Sequence, residues 1–336
     1  MTARARAPLP ARPHRIVVAL GGNAIQRAHD HGTWREAVRQ MRATAGALAS
    51  VVRPGVDLVV THGNGPQVGS LLREAELGAA EIPAPPMDVI GAETEGQIGY
   101  LIAQELGAVL ARARPPRTVV PIVSRTEVAA NDPAFRRPTK PVGRFYTAAD
   151  ARRLTRSNGW TLREDRARGG WRRVVPSPRP RRWLEGDAVA AMLGLGLGQR
   201  CVFVVTGGGG IPVVRRRDRF EGVEAVIDKD LGAALAARTL GADTLAIVTD
   251  VPGAAVGFGT PRARWLGRVT ATELARFARA GEFAEGSMGP KVEAGLGFLR
   301  GGGARFVITD IPSLAAALEG RAGTRVERGG PRGRAR

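Results

Sequence analysis

The sequence predicts an α/β protein whose strands form a doubly wound, mostly parallel open sheet. Apolar runs that end in glycine clusters alternate with segments whose apolar residues recur at helical spacing. Two such units of strand, turn and helix occur within about the first 80 residues, which favours parallel strands joined by helices. With 336 residues, 43% of them hydrophobic, the chain can bury a sizeable core.

The first unit begins with "HRIVVALGGNA", a run typical of a buried parallel strand that leads into a loop. From Thr33 to Val52 the apolar side chains lie at helical spacing, and Pro54 and Gly55 mark the end of that helix. The second unit, "VDLVVTHGNGPQVG", predicts a strand and a glycine-rich turn, followed by a helix from about Gln67 to Leu77. Both predicted strands therefore end in glycine.

The alternation continues along the chain with one interruption. "TEGQIGYLIAQELGAVLAR" predicts a helix, and "RTVVPIVS" the strand after it. From Arg125 to Pro180, prolines, arginines and turn sequences break every short run, which indicates a protruding subdomain or a lid. Helices and strands resume with "DAVAAMLGLG", "RCVFVVTGGGG" and "IDKDLGAALAARTLGADTLAIVTDV". "ATELARFARAGEF" and "GPKVEAGLGFLRGGGARFVITD" predict two more helices and a closing strand, and the polar stretch from Arg215 to Glu221 predicts a boundary between two lobes.

Lysine is rare in this chain. Three of its 50 basic side chains are lysines, namely Lys140, Lys229 and Lys291, and the other 47 are arginines. A lysine that persists against this bias indicates a position where a compact ammonium is required and a wide guanidinium fails. We therefore predict that the three lysines carry out the chemistry.

The net charge of +19 raises the alternative of a nucleic-acid-binding protein. The charge is concentrated in two tails, predicted to be disordered at 1–14 and 321–336, and in residues 112–182, which hold 19 basic and five acidic side chains. No zinc-finger spacing accompanies these arginines, and no basic repeat interleaved with aromatics does so. Solvated arginine is the favoured interpretation, and nucleic acid is not an expected partner.

The apolar runs, the N-terminal segment and the cysteine content indicate the cellular compartment of the protein. No apolar run reaches the length needed to cross a membrane, and the arginine-rich start lacks the apolar stretch of a secretory signal. The single cysteine, Cys201, excludes an internal disulfide framework. We therefore expect a cytoplasmic protein.

Three predicted strands end in glycine clusters: Gly21 with Gly22, Gly63 with Gly65, and Gly207 to Gly210. Because carboxyl ends of parallel strands line the ligand crevice, backbone amides there can approach a polyphosphate closely. Each cluster taken alone is equally compatible with a tight turn. No lysine follows a cluster as in a Walker A loop, and "GNGPQVG" has one residue too many for the dinucleotide fingerprint.

With these motifs in order, residues from about Arg15 to Glu319 resemble the carbamate kinases of the amino acid kinase superfamily. The resemblance depends on "VVALGGNA", "THGNGPQVG", "GAETEGQIGY", "DPAFRRPTKPVGRFY", "GGGGIPVV", "GVEAVIDKDLGAALAA" and "GSMGPKVEA". It implies a three-layer αβα sandwich with a mostly parallel open sheet, and a small protruding subdomain at about 125–180. It also implies one kinase domain at 15–320, with an N-lobe at about 15–215 for carbamate and carbamoyl phosphate and a C-lobe at about 216–320 for the nucleotide.

The resemblance implies reversible phosphoryl transfer between ATP and carbamate, giving ADP and carbamoyl phosphate. Magnesium would be held mainly by the phosphates and not by protein side chains. A homodimer, and a use in making ATP during arginine and nitrogen catabolism, are implied by the family alone. A related kinase acting on another small carboxylate or phosphate remains an alternative, since a fold does not fix the acceptor.

Matched by motif, the resemblance also assigns residue roles. Lys229 and Lys291 would neutralise the transferring phosphoryl group, Asp230 would orient them or cap the following helix, and Lys140 would reach in from the subdomain. His62 in "THGNGP" is interpreted as a tie within its loop and not as an acid or base. The phosphate and carbamate loops would comprise Gly21, Gly22, Asn23, Gly63, Asn64, Gly65, Gly208 and Gly209, and the nucleotide pocket would be lined by Thr249, Asp250, Val251, Met288, Gly289 and Pro290.

Three positions depart from the family pattern. Arg144 stands where relatives often have proline, and Ala254 and Ala255 stand where relatives tend to carry an aromatic. We expect Arg144 to affect the stiffness or anion contacts of the subdomain, and the two alanines to affect the shape of the nucleotide pocket.

Overall fold

The structure, a computed structural model, describes residues 12–26, 30–166, 169–284 and 286–328. The helices are α1 Trp34–Ala49, α2 Gly65–Gly78, α3 Met87–Leu110, α4 Ala148–Asn158, α5 Gly186–Gly194, α6 Lys229–Thr239, α7 Ala271–Arg279, α8 Met288–Arg300 and α9 Leu314–Leu318. The strands are β1 His14–Leu20, β2 Val56–His62, β3 Thr118–Pro121, β4 Arg125–Val128, β5 Lys140–Tyr146, β6 Leu162–Asp165, β7 Gly170–Val175, β8 Pro180–Trp183, β9 Cys201–Val204, β10 Ile211–Arg216, β11 Arg219–Gly222, β12 Thr244–Val248, β13 Ala255–Val256, β14 Arg264–Trp265, β15 Arg268–Thr270, β16 Arg305–Thr309 and β17 Thr324–Glu327.

The central sheet combines strands from both halves of the chain. In the described residues it has eight strands, in the order β15-β17-β16-β12-β1-β2-β9-β3. Every neighbouring pair is parallel except β16 with β17. Because β1 pairs with β12 in the middle of this sheet, the two predicted lobes share one sheet. The polar stretch predicted as their boundary is the hairpin of β10 and β11.

Helices cover both faces of the sheet. On one face, Val17 and Ala19 of β1 belong to the core that includes residues of α5, α6, α7 and α8. On the other face, Ile16, Val18 and Leu20 belong to the core with α1, α3 and α9. Side chains alternate across a strand, so a strand buried on both faces is a nearly continuous apolar run, as β1 is from Ile16 to Leu20. The predicted three-layer αβα sandwich is confirmed.

Local sequence signals account for the boundaries of several helices. Thr33 and Glu36 form a capping box at the start of α1, each accepting a hydrogen bond from the other's backbone N–H. The same pairing between Thr270 and Glu273 starts α7. No helix within the described ranges is both long and apolar enough to cross a membrane.

The region from 125 to 180, predicted as the subdomain, is divided between two small sheets. Strands β4 and β8 at its two ends join β10 and β11 in a four-stranded sheet. The protruding part is narrower and consists of the sheet β5-β7-β6 together with α4. Sequence alone could not separate the two, because the partners of β4 lie more than 50 residues away, in β8 and β10.

The prediction of tails at 1–14 and 321–336 is wrong for their inner residues. Arg12 forms an ion pair with Asp243, and His14 begins β1. Near the other end, β17 lies between β15 and β16, and Val326 is fully buried. This strand has four residues, two of them charged, so its burial pattern becomes visible only beside its partners. Residues 1–11 and 329–336 lie outside the described residues.

Candidate active site

The predicted catalytic residues meet in one cavity of about 270 Å³, which is near the lower end of the size range of small-molecule sites. The loops after β1, β2 and β9 contribute to its wall, because these strands are parallel and end at the same edge of the sheet. The subdomain and the N-terminal ends of α6 and α8 complete it. The predicted residues that line it are Gly22, Gly63, Asn64, Gly65, Lys140, Gly208, Lys229, Asp230, Pro290 and Lys291.

Asp230 lies between two lysines. Its Oδ1 accepts a hydrogen bond from Nζ of Lys229 at 2.9 Å, and its Oδ2 accepts one from Nζ of Lys291 at 3.1 Å. The lysine side chains are 22% and 12% exposed, whereas that of Asp230 is 4% exposed. The carboxylate therefore holds two ammonium groups at the wall of the cavity, as the motifs predict.

Burial would raise the pKa of the Asp230 carboxyl, but the charges of Lys229 and Lys291 and their hydrogen bonds together outweigh burial and lower it. Asp230 is thus an anion at neutral pH. Its alternative interpretation as the cap of the helix is wrong. The N-cap of α6 is Asp228, whose Oδ1 accepts the backbone N–H of Asp230 at 2.9 Å, so Asp230 lies in the first turn.

Lys140, which the resemblance assigns to this site, lies on the first strand of the subdomain. It begins β5, and its Nζ donates to Oδ2 of Asp228 at 2.8 Å. One carboxylate therefore caps α6 and also holds the lysine of the subdomain. Lys140 is 39% exposed, so it lines the more open side of the cavity.

The glycine loops pack against functional side chains and against each other. A Cβ atom at position 63 would lie 2.9 Å from Cδ of Lys229, and one at position 21 would lie 2.8 Å from the carbonyl oxygen of Val248. Gly208 and Gly209 have φ angles of 64° and 100°, in the region that favours glycine. Asn23 lies in the 3-10 turn Gly22–Ala24. Glycine in these clusters thus allows close packing and backbone angles that other residues rarely adopt.

Two adjacent buried residues of α3 support the loops from behind. Thr94 accepts a hydrogen bond from the side-chain amide of Asn64 at 2.9 Å. Glu95 accepts the backbone N–H of Ser124 at 2.7 Å, and a Cβ atom at Gly207 would lie 2.8 Å from its Cγ. Burial raises the pKa of Glu95 well above its usual value. Helix α3 thereby fixes the loops after both β2 and β9.

His62 ends β2 and is 2% exposed. Its Nδ1 donates to the carbonyl oxygen of Gly63 at 3.0 Å, which agrees with its interpretation as a loop tie. A Cβ atom at Gly207 would overlap its ring. Burial lowers the pKa of His62 to about 4, so the imidazole is neutral at physiological pH and fills space behind the cavity.

The residues predicted for the nucleotide pocket come from two segments in the C-terminal half of the chain. Thr249, Asp250 and Val251 follow β12 at the edge where the glycine loops lie, and the N–H of Thr249 donates to the carbonyl of Thr309 at 2.8 Å. The other three, Met288, Gly289 and Pro290, begin α8 immediately before Lys291. Pro290 lines the cavity, and the role of all six in nucleotide binding stays a prediction.

The three departures from the family pattern lie outside the cavity wall. Nε of Arg144 is 3.3 Å from Oε2 of Glu76, and its guanidinium stacks over Tyr146. Ala254 and Ala255 are buried, and the N–H of Ala254 donates to Thr324 at 2.9 Å. The two alanines thus pack in the core next to β17. A larger cleft of about 940 Å³ between α2 and the subdomain includes Arg144 but none of the three lysines.

Sequence reasoning missed Asp228, Thr94 and Glu95. A signal for Asp228 was present, because an aspartate one residue before a predicted helix is a typical N-cap. Thr94 and Glu95 lie in the motif "GAETEGQIGY", but their partners are in loops at least 29 residues distant. No local pattern indicates which loop a helical side chain supports.

The burial of His62 predicts a pH dependence of stability. The pKa of His62 is about 4 in the folded protein and about 6.5 when unfolded, so acid protonates the unfolded chain first. Its contribution is complete above pH 6.5 and is lost as the pH falls toward 4, by about 3 kcal/mol in total. We expect the free energy of unfolding of His62→Asn, measured with urea, to fall less between pH 7 and 4 than that of the unmodified protein, because the variant lacks the contribution of His62. An equal loss in the variant and in the unmodified protein would contradict this interpretation.

The chain is similar to known proteins along most of its length. Residues 14–310 match the model of the amino acid kinase family. The chain is 46% identical over 317 residues to the carbamate kinase of Thermococcus kodakarensis, covering 94% of this chain and 99% of that protein. It is 41% identical over 315 residues to the carbamate kinase-like protein YahI of Escherichia coli, covering 93% and 98%.

Solved structures of carbamate kinases are also similar to this chain. The carbamate kinase of Giardia lamblia bound to AMP-PNP superposes with a TM-score of 0.87 at 38% identity, covering 94% of this chain and 99% of that chain. Aspartate kinase from Synechocystis, at 18% identity and a TM-score of 0.51, shares the fold alone. On sequence, coverage and structure together, the chain belongs to the amino acid kinase family and, within it, to the carbamate kinases.

Proposed function

We propose that this protein transfers a phosphoryl group reversibly between ATP and carbamate, giving ADP and carbamoyl phosphate. The observation that carries the proposal is the buried Asp230 with a lysine on each carboxylate oxygen, set at the edge where three glycine loops meet. Cations and backbone amides around a cavity of this size suit a transferring phosphoryl group. The names of the relatives supply carbamate as the acceptor.

In the proposed mechanism, Lys229 and Lys291 stabilise the negative charge that spreads over the transferring phosphoryl oxygens. Asp230 holds both ammonium groups in place before the substrates arrive, which lowers the cost of reorganisation during the reaction. Lys140 closes the carbamoyl phosphate side from the subdomain. Carbamate is an anion at neutral pH, so its oxygen attacks phosphorus without a general base, and catalysis consists of positioning and charge stabilisation.

We propose that magnesium enters with the nucleotide and is bound mainly by phosphate oxygens. The two carboxylates that line the cavity already have partners, since Asp228 holds Lys140 and the N–H of Asp230, while Asp230 holds two lysines. Among the described residues, no group of three or more histidine, cysteine, aspartate or glutamate side chains is arranged to hold a metal ion. When bound, the ion would neutralise part of the phosphate charge.

An assay of the reverse reaction tests the function. Purified protein given ADP, carbamoyl phosphate and magnesium should form ATP, measured by luminescence. Removal of magnesium with EDTA should abolish ATP formation, and an excess of magnesium should restore it. Absence of ATP formation with carbamoyl phosphate, together with turnover of another acyl phosphate, would favour a related kinase with a different acceptor.

The lysine positions give a second prediction for the same assay. Lys229→Arg and Lys291→Arg keep the charge, but at position 229 a guanidinium must fit where Lys229 already packs tightly beside Gly63. We expect each variant to lose roughly 10²-fold or more in kcat. Arg321→Lys, an exchange at an exposed ion pair with Glu319, is the matched control and should leave kcat unchanged. Near-normal turnover of both lysine variants would contradict a geometric requirement for lysine.

We further propose a cytoplasmic homodimer that makes ATP from carbamoyl phosphate in arginine and nitrogen catabolism. The location is supported by the single Cys201, and the catabolic role rests on the family. The dimer is supported by an exposed aromatic pair, Trp34 of α1 and Tyr100 of α3, whose rings stack with centroids 6.1 Å apart. Light scattering should give twice the chain mass of 35.4 kDa. A monomeric mass would contradict the dimer.

A further inference from the structure

Asn64 occupies the N-cap position of α2 but does not cap it. Asparagine at this position normally accepts a backbone N–H of the first turn through Oδ1, yet the side chain of Asn64 makes no such bond. Its amide instead lines the cavity and donates from Nδ2 to Oγ1 of Thr94 at 2.9 Å. Something other than the helix therefore determines how this amide is oriented.

Thr94 determines that orientation through the direction of its own hydrogen bond. Its Oγ1 lies 2.8 Å from the carbonyl oxygen of Gly91, which can only accept, so the single hydroxyl hydrogen of Thr94 points to Gly91. Oγ1 can then only accept from Asn64, which must present its NH2 group and not its oxygen. Thr94 is fully buried and lies in a helix, so this arrangement is rigid.

The consequence is that Oδ1 of Asn64, a residue that lines the cavity, is left as an acceptor. Among the residues that the structure describes, none donates a hydrogen bond to Oδ1 of Asn64. The other polar side chains of the cavity discussed above are the lysines, which are donors, and the carboxylates of Asp228 and Asp230, which already accept hydrogen bonds. Gly208 allows the amide to lie in this place, because a Cβ there would overlap it.

We infer that Thr94 is a positioning residue that holds Oδ1 of Asn64 toward the substrate, where it accepts an N–H of the amino group of carbamate or carbamoyl phosphate. The inference rests on the proposed function and deepens it. The planar amino group offers N–H donors, and a methyl group in the same place offers none. The pair thus distinguishes a carbamoyl group from an acetyl group of nearly the same shape.

Thr94→Val tests this, because it exchanges the hydroxyl for a methyl group and removes the acceptor for Asn64. Two quantities are measured with ADP and magnesium: kcat/KM for carbamoyl phosphate, and the inhibition constant of acetyl phosphate against it. We expect kcat/KM to fall about tenfold while the inhibition constant changes less than about twofold. Thr94→Ser keeps the hydroxyl and should retain both values.

A double-mutant cycle separates positioning from general damage. If Thr94 acts through Asn64, then Asn64→Ala alone loses the discrimination, and adding Thr94→Val to it changes the ratio of the two quantities no further. Circular dichroism and thermal melting establish that each variant is folded, and Thr94→Ala replaces Thr94→Val if the latter fails to fold.

The outcomes are distinct. If folded Thr94→Val lost no kcat/KM for carbamoyl phosphate, or weakened the binding of acetyl phosphate by the same factor, the inference would be overturned while the proposed function stayed intact. Failure of the unmodified protein to form ATP from carbamoyl phosphate would instead overturn the proposed function, and with it the basis of the inference.

Discussion

The architecture of the site depends on one buried carboxylate, that of Asp230. Two ammonium groups placed side by side in a small cavity repel each other, and burying them without a partner would be costly. Asp230 removes both problems, because each of its oxygens accepts from one lysine. The N-terminal end of α6 further favours a negative charge at this position. Removing the carboxylate would leave two partly buried cations unpaired.

This arrangement requires α6, α8 and the subdomain to approach one another closely. Lys229 and Asp230 begin α6, Lys291 lies in the first turn of α8, and Lys140 begins β5. Asp228 links Lys140 to α6, because it caps the helix and also accepts a hydrogen bond from Nζ of Lys140. The position of the subdomain is therefore coupled to the helix that carries Lys229 and Asp230.

Glycine residues make the close packing around the site possible. Gly232 on α6 packs against Gly209, where a Cβ atom at position 232 would lie 2.5 Å from Cα of Gly209. The lack of a side chain at Gly63 leaves room for Lys229, and the lack of one at Gly208 leaves room for the amide of Asn64. The glycine clusters were compatible with tight turns alone or with phosphate binding. In the folded protein the same residues satisfy a third requirement, because several loops and side chains must share one edge of the sheet.

The sequence by itself determined the alternation of strands and helices and the edge at which the glycine turns lie. These features follow from local periodicity and from motifs with fixed spacing, which do not depend on distant partners. The tertiary structure decided that β17 is an inner strand, that β4 and β8 leave the subdomain, that Asp228 and not Asp230 caps α6, and that Thr94 holds Asn64. The strand pairings and the contact between Thr94 and Asn64 join segments far apart in the chain, which no local pattern encodes. The cap of α6 depends on the backbone angles at the helix start, where the sequence offered both aspartates.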